Sequence, residues 1–217
     1  MTDYTAARTA MVDCQIRPSD VTKYPIIEAM LRIKREAFVP LAKRPVAYVG
    51  EHIDLGNNRV VLDPRVLAKM LDALAIQPDE LVLDIGCGLG YSSAVCAHLA
   101  EMVVAVEEDT SLAEDAARIL SEQGVDNAVV HHGPLAQGAA EHGPYDVMVF
   151  EGGTEVIPAA LLDQVKTGGR IGAIKMTGPL GKCQVGIKTA QGVNWKMAFD
   201  ATAPILPGFQ KEAAFAF

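Results

Sequence analysis

The sequence predicts an α/β fold: an open, twisted, mostly parallel sheet with helices on both faces, an antiparallel hairpin at its C-terminal end and a helical N-terminal segment. Three observations predict it. From Leu81 onward, short continuous Val/Ile/Leu runs alternate with helical patterns, as expected of parallel strands buried on both faces. The stretches CQVGIKTA and NWKMAFDA, separated by Gln191-Gly192-Val193, read as a hairpin. The opening stretches TAARTAMVDCQI and PIIEAMLRIKREAF place apolar residues at helical spacing, with Pro18 and Pro40 as punctuation.

The elements follow in order. After the helical N-terminal segment comes AYVGEHIDLGNNRVVLDP, which is polar, contains glycine and reads as an ordered loop or short hairpin. At its end Asp63 can cap a helix starting at Pro64, where the missing N–H of proline costs nothing, and RVLAKMLDALAI supplies the apolar face. The strand and helix pairs are then ELVLDIG with YSSAVCAHLA, MVVAVEED with SLAEDAARILSEQG, NAVVHHG with LAQGAAEH, and YDVMVFEGG with PAALLDQV, followed by the strand RIGAIKM. The spacing of Ser111 and Glu114 predicts a capping box, and Gly124 a helix stop.

The chain has 217 residues, 50% of them hydrophobic and 21% charged, a balance that predicts one well-buried globular domain. A net charge of −8 gives no field to gather phosphates, so no nucleic-acid partner is expected. The acidic N-terminus lacks a signal-peptide core and no run approaches the roughly 20 apolar residues of a membrane span, which predicts a cytoplasmic protein without membrane contact. Cys14, Cys87, Cys96 and Cys183 show no CxxC spacing and read as reduced thiols, with no metal site. His131 and His132 are adjacent on a strand and point to opposite faces, so they are read as strand residues rather than as a chelating pair.

In an open α/β sheet the ligand lies at the carboxyl ends of the strands, and there the stretch LVLDIGCGLGYSS places Gly86, Gly88 and Gly90. A dinucleotide site wants GxGxxG, but the spacing here is GxGxG and Tyr91 stands where the third glycine belongs. The pattern Asp84-Ile-Gly-Cys-Gly-Leu-Gly instead matches the acid-x-Gly-x-Gly-x-Gly of S-adenosylmethionine sites, in which the acid serves the cofactor's cationic amino group. Glu107 follows 23 residues after Asp84, at the end of the next strand, where a carboxylate can accept both ribose hydroxyls. Cys87 reads as a small residue within this loop. A purely structural turn with a solvated Glu107-Glu108-Asp109 run is the competing interpretation.

The segments MVDCQIRP…EAMLRIKREAFVP, LVLDIGCGLGYSSAVCAHLA, VVAVEED, YDVMVFEGGTEVIPAALLDQVKTGGRI and GKCQVGIK together resemble the protein-L-isoaspartate O-methyltransferases, a family of Rossmann-like class I enzymes, over nearly the whole chain. The resemblance implies methyl transfer from S-adenosylmethionine to the free carboxylate of isoaspartyl residues in damaged proteins. The ester then collapses to a succinimide, whose hydrolysis partly restores aspartate. It implies one domain over 1–217, divided into a helical segment (1–45), a substrate loop with the first core helix (46–80) and a cofactor-binding sheet (81–217). It implies that Asp84, Gly86, Cys87, Gly88, Gly90, Glu107, Gly133 and Pro134 surround the cofactor.

Two positions depart from the family. Its substrate-loop hydroxyl is replaced by Leu62, which leaves Asn57, Asn58 and Arg59 as candidates to hold the acceptor carboxylate, Arg59 through a bidentate grip. Asp63 beside it would repel a carboxylate if it faced the site. The acid that follows the third strand and accepts from adenine is replaced by Gly133-Pro134, with backbone carbonyls or Gln137 as substitutes. Methylation of a different acceptor and a scaffold without catalysis are the alternatives; an NAD-dependent oxidoreductase ranks behind them.

Overall fold

The computed structural model describes residues 3–211; residues 1–2 and 212–217 of the expected domain lie outside that range. The N-terminal segment holds α1 (Tyr4–Met11) and α2 (Tyr24–Arg32), joined by a wide π-type turn (Val12–Ile16) and a 3-10 turn (Arg17–Ser19). Asp3 caps α1, and Met11, Val12, Ile16, Ile26, Ile27 and Met30 turn inward.

The polar stretch that follows forms a hairpin of β1 (Ile53–Gly56) and β2 (Arg59–Val61). Its two turn residues, Asn57 and Asn58, have φ of 50° and 58°, the left-handed pair of a type I′ turn that asparagine tolerates. Helix α3 (Pro64–Leu74) begins as the sequence predicts, with the Asp63 side chain accepting from Arg65 N and Val66 N at 2.7 and 3.3 Å.

The main sheet is built from β3 (Leu81–Ile85), β4 (Met102–Glu107), β5 (Ala128–His132), β6 (Tyr145–Thr154), β7 (Val165–Thr177), β8 (Leu180–Thr189) and β9 (Gly192–Asp200). Their order is β5-β4-β3-β6-β7-β8-β9, parallel through β7 and antiparallel beyond it. Helices α4 (Tyr91–Leu99), α5 (Thr110–Glu122) and the short α6 (Ala159–Leu162) connect the strands. α4 is buried almost all round because α2 covers the side that a connecting helix normally exposes. One core packs the N-terminal segment, α3 and α4 on one sheet face, and a second packs Leu83, Ile85, Met148, Phe150, Leu206 and Phe209 on the other.

Two expectations are corrected. The cap of α5 is Asp109, whose carboxylate accepts from Leu112 N at 3.1 Å, and not Ser111; the helix starts two residues earlier than a Ser111 cap requires and leaves Ser111 exposed within it. LAQGAAEH forms two 3-10 turns (Leu135–Gln137 and Ala140–His142) rather than an α-helix, because Pro134, Gly138 and Gly143-Pro144 interrupt the run. At the other end of α5 the stop at Gly124 stands as expected: Gly124 N and Val125 N bond back to Ser121 O and Leu120 O, both at 3.0 Å, the pattern of a Schellman motif.

The cap assignment is testable by thermal or urea denaturation. Asp109→Ala should cost about 1 kcal/mol of stability, whereas Ser111→Ala should stay within about 0.5 kcal/mol of the parent.

Candidate functional site

The strand order reverses between β3 and β6, so the chain leaves their carboxyl ends in opposite directions and opens a crevice there. Asp84, Glu107 and Glu151 sit at that end of three neighbouring strands, and all three are buried. Val147, Val149 and Glu151 alternate to the same face as Val82 and Asp84, the face under the N-terminal segment.

Between β3 and α4, Gly86 and Gly88 have φ of 84° and 56°, conformations costly for any residue with a Cβ. They also allow close approach: a Cβ on Gly86 would lie 2.8 Å from Arg59 Nη1, and one on Gly88 2.6 Å from Leu55 Cδ1. Side chains of the β1–β2 hairpin therefore rest directly on the glycine loop. Gly90 caps α4, and the buried Tyr91 after it donates to Met30 Sδ at 3.3 Å. Cys87 is a buried thiol whose ionisation is driven well up by burial and by the Asp84 and Glu107 charges.

Glu107 is wholly buried, and its carboxylate is held from four directions. Glu108 N, Asp109 N and Gly88 N donate to it at 3.0, 3.1 and 2.8 Å. Arg59 completes the set from the hairpin, with Nε 3.3 Å from Oε1 and Nη2 bonded to Oε2. Arg59 is only 1% exposed and Glu107 is fully buried, so neither is a solvated loop residue. Leu62 is a core residue whose carbonyl accepts from Arg35 Nη2 at 2.8 Å. Asn57 and Asn58 are exposed at the hairpin tip.

Asp84 Oδ2 accepts from Ser92 and Ser93 hydroxyls at 2.7 and 2.6 Å. Burial nevertheless pushes its carboxyl up to about 6, against the pull of the two serines and Arg59. Burial, reinforced by Asp84, raises the Glu151 carboxyl well above the usual range. Glu151 was not singled out in the sequence: it reads as one more residue of a strand, and only the register of β6 against β3 brings it beside the glycine loop.

Next to Glu107 a cavity of about 780 Å³ is lined by Asn57, Arg59, Glu108, Asp109, His132, Gly133, Pro134 and Pro207. It has the size of a small-molecule pocket. Gly133 and Pro134 form its wall; Gln137 is exposed and does not line it. His131 and His132 diverge. His132 Nε2 lies 3.1 Å from Thr110 Oγ1, and His131 Nδ1 lies 3.3 Å from Glu141 on the exposed side, where His142 also stands.

These residues suit S-adenosylmethionine. Asp84 has a buried oxygen, Oδ1, without a hydrogen-bond partner among the described residues, and Glu107 holds a carboxylate that a diol could take once Arg59 left it, with Arg59 and Leu55 now filling the space beside Gly86 and Gly88. Fold and site together define a class I methyltransferase-type protein. The comparisons make this specific: the family model described as protein-L-isoaspartate(D-aspartate) O-methyltransferase matches residues 6–185, and the chain belongs to that family.

A protein-L-isoaspartate O-methyltransferase of Syntrophus aciditrophicus is 39% identical over 164 residues, 76% of this chain and 75% of the relative. A second, numbered 2, from an Anaeromyxobacter species is 36% identical over 188 residues, 85% and 76% of the two chains. A solved protein-L-isoaspartate O-methyltransferase shares the fold at TM-score 0.81 and 23% identity, over 93% of this chain and 66% of that longer one. A Plasmodium falciparum structure assigned to the same enzyme, solved with S-adenosyl-L-homocysteine, gives TM-score 0.78 at 15% identity over 95% and 99%.

The Arg59–Glu107 pair should show up in the stability of the free protein. A double-mutant cycle of Arg59→Ala and Glu107→Gln, read by urea denaturation, should return a coupling of about 1–3 kcal/mol; strict additivity would mean the two side chains do not pair in solution.

Proposed function

We propose that this protein methylates the free carboxylate of L-isoaspartyl residues in damaged proteins, using S-adenosylmethionine, and that it works in the cytoplasm as a repair enzyme. The observation that carries the reading is the family match across residues 6–185 together with Asp84 and Glu107 buried on either side of the glycine loop.

S-adenosylmethionine supplies a methyl group on a sulfonium, and a carboxylate oxygen can displace it directly, forming an O–C bond as the C–S bond breaks, with no proton transferred. The protein's contribution is therefore alignment in a site that excludes water. Asp84 would accept from the cofactor's amino group and Glu107 from its ribose hydroxyls, while Gly133, Pro134 and the backbone around them border the adenine side. Gly86, Gly88 and Gly90 shape the loop between these two acids. Occupation of Glu107 by a ribose requires Arg59 to give up that carboxylate, since the guanidinium now takes both of its oxygens.

A specific observation favours a second reading, methylation of a different acceptor. Leu62 lies in the core and Arg59 on Glu107, so of the candidates for an acceptor-holding group only Asn57 and Asn58 stand free. Transfer of labelled methyl to an isoaspartyl peptide, beside the same peptide with normal aspartate, decides between them. Label on the isoaspartyl peptide alone is the expected result; cofactor binding without label on either peptide would establish the second reading.

The raised Asp84 carboxyl gives cofactor binding a pH dependence of defined sign. An ammonium group needs Asp84 ionised, so below about 6 binding must first expel a proton, and affinity falls with pH. The Kd for S-adenosylhomocysteine should rise about tenfold between pH 7 and pH 5, and Asp84→Asn should bind more weakly at pH 7 with that dependence flattened. Calorimetric titration at a series of pH values checks both.

A further inference from the structure

Buried polar atoms in folded proteins nearly always have hydrogen-bond partners. Five buried side-chain atoms here have none among the described residues: Gln15 Oε1, Arg35 Nη1, Arg59 Nη1, Asp84 Oδ1 and Glu151 Oε1. Gln15 stands apart beside Gly50, and Arg35 stacks on Tyr91 with its guanidinium carbon 4.8 Å from the ring centre. The other three belong to Arg59, Asp84 and Glu151, which lie near enough to act on one another's charge and converge on the strand end at Gly86. Arg59 Nη1 lies 2.8 Å from where its Cβ would be. Asp84 precedes it by two positions, and Glu151 follows Phe150, the partner of Ile85 in the last rung of the β3–β6 ladder. β6 is irregular between Val149 and Gly153, which frees Glu151 from regular pairing at this point.

The three atoms are two acceptors and one cationic donor near a residue with no side chain. This arrangement complements a zwitterion: an ammonium between Asp84 and Glu151, and a carboxylate against Arg59. We infer that Arg59 and Glu151 join Asp84 in holding the amino-acid head of the cofactor, with Arg59 passing from Glu107 to the cofactor's carboxylate. The inference rests on the cofactor assignment proposed above and extends it to two residues that no part of that assignment uses.

The arrangement also gives Arg59 a reason to be arginine. A guanidinium can be bidentate to Glu107 in the free protein and remain charged and directed when it changes partner, which an ammonium does less well. An ion so deeply buried is retained at a cost unless it has a second use.

The test compares two ligands on the free protein by calorimetry: S-adenosylhomocysteine, and 5′-methylthioadenosine, which keeps the nucleoside thioether and lacks the amino-acid head. The wild type should bind the first at least tenfold more tightly. Arg59→Met should reduce that preference about tenfold, because both ligands are spared displacing Arg59 from Glu107 while S-adenosylhomocysteine alone loses the partner of its carboxylate; Arg59→Lys should fall between, and Glu151→Leu should reduce it as well. Arg59→Lys keeps the buried charge and so covers the case in which Arg59→Met does not fold.

A preference unchanged in the Arg59 variants, or a gain in affinity for both ligands alike, would overturn the inference and make Arg59 a simple occupant of the ribose site. Equal affinity of the wild type for both ligands would overturn it and leave the cofactor assignment standing. Binding of neither ligand would remove that assignment, and the inference with it.

Discussion

Three carboxyl groups end side by side, buried at the carboxyl ends of neighbouring parallel strands, and the cost of keeping them there shapes their surroundings. A parallel sheet brings the carboxyl ends of its strands together, so Asp84, Glu107 and Glu151 converge because β3, β4 and β6 are neighbours. Burying an unpaired carboxylate costs several kcal/mol, and each group meets that cost differently. Glu107 is met by three backbone N–H groups and Arg59. Asp84 relies on two serine hydroxyls from the first turn of α4 and is left with a raised affinity for its proton. Glu151, whose Oε1 has no partner among the described residues, has its carboxyl raised well above the usual range by burial and by Asp84.

The same constraint explains why the N-terminal segment and hairpin sit where they do. Arg35, fully buried, ties the turn after α2 to Ala47 O and Leu62 O at 2.7 and 2.8 Å, and Arg59 ties the hairpin to Glu107. Arg35 thus ties the covering layer together, and Arg59 fastens it to the sheet at the point where the acids emerge. The chemistry assigned to the site asks for little more than this enclosure, since a carboxylate nucleophile and a sulfonium electrophile need to be aligned and kept dry rather than activated.

Much of this was legible in the sequence, and what was not has a physical reason. The strand and helix alternation, the Asp63-Pro64 start of α3 and the end of α5 at Gly124 are written in local signals, and local interactions decide them. The glycine loop and Glu107 are likewise close in sequence and belong to one βαβ unit. Arg59 meets Glu107 across 48 positions, and nothing in GNNRVVLDP distinguishes an arginine aimed at the sheet from one in solvent. Glu151 is hidden for a similar reason, because its role depends on cross-strand register and not on its neighbours in VFEGG. Ser111 fits the spacing of a capping box to Glu114, but Asp109, two residues before it, accepts from Leu112 N and starts the helix there.

The central claim is that the Arg59–Glu107 pair occupies a cofactor site and yields it to the cofactor. The crystal structure of the protein with S-adenosylhomocysteine tests this most directly. The expected structure has the ribose hydroxyls on Glu107, the amino group on Asp84 and Arg59 displaced from Glu107. A structure in which the nucleoside binds elsewhere, with Arg59 still paired to Glu107, would contradict it.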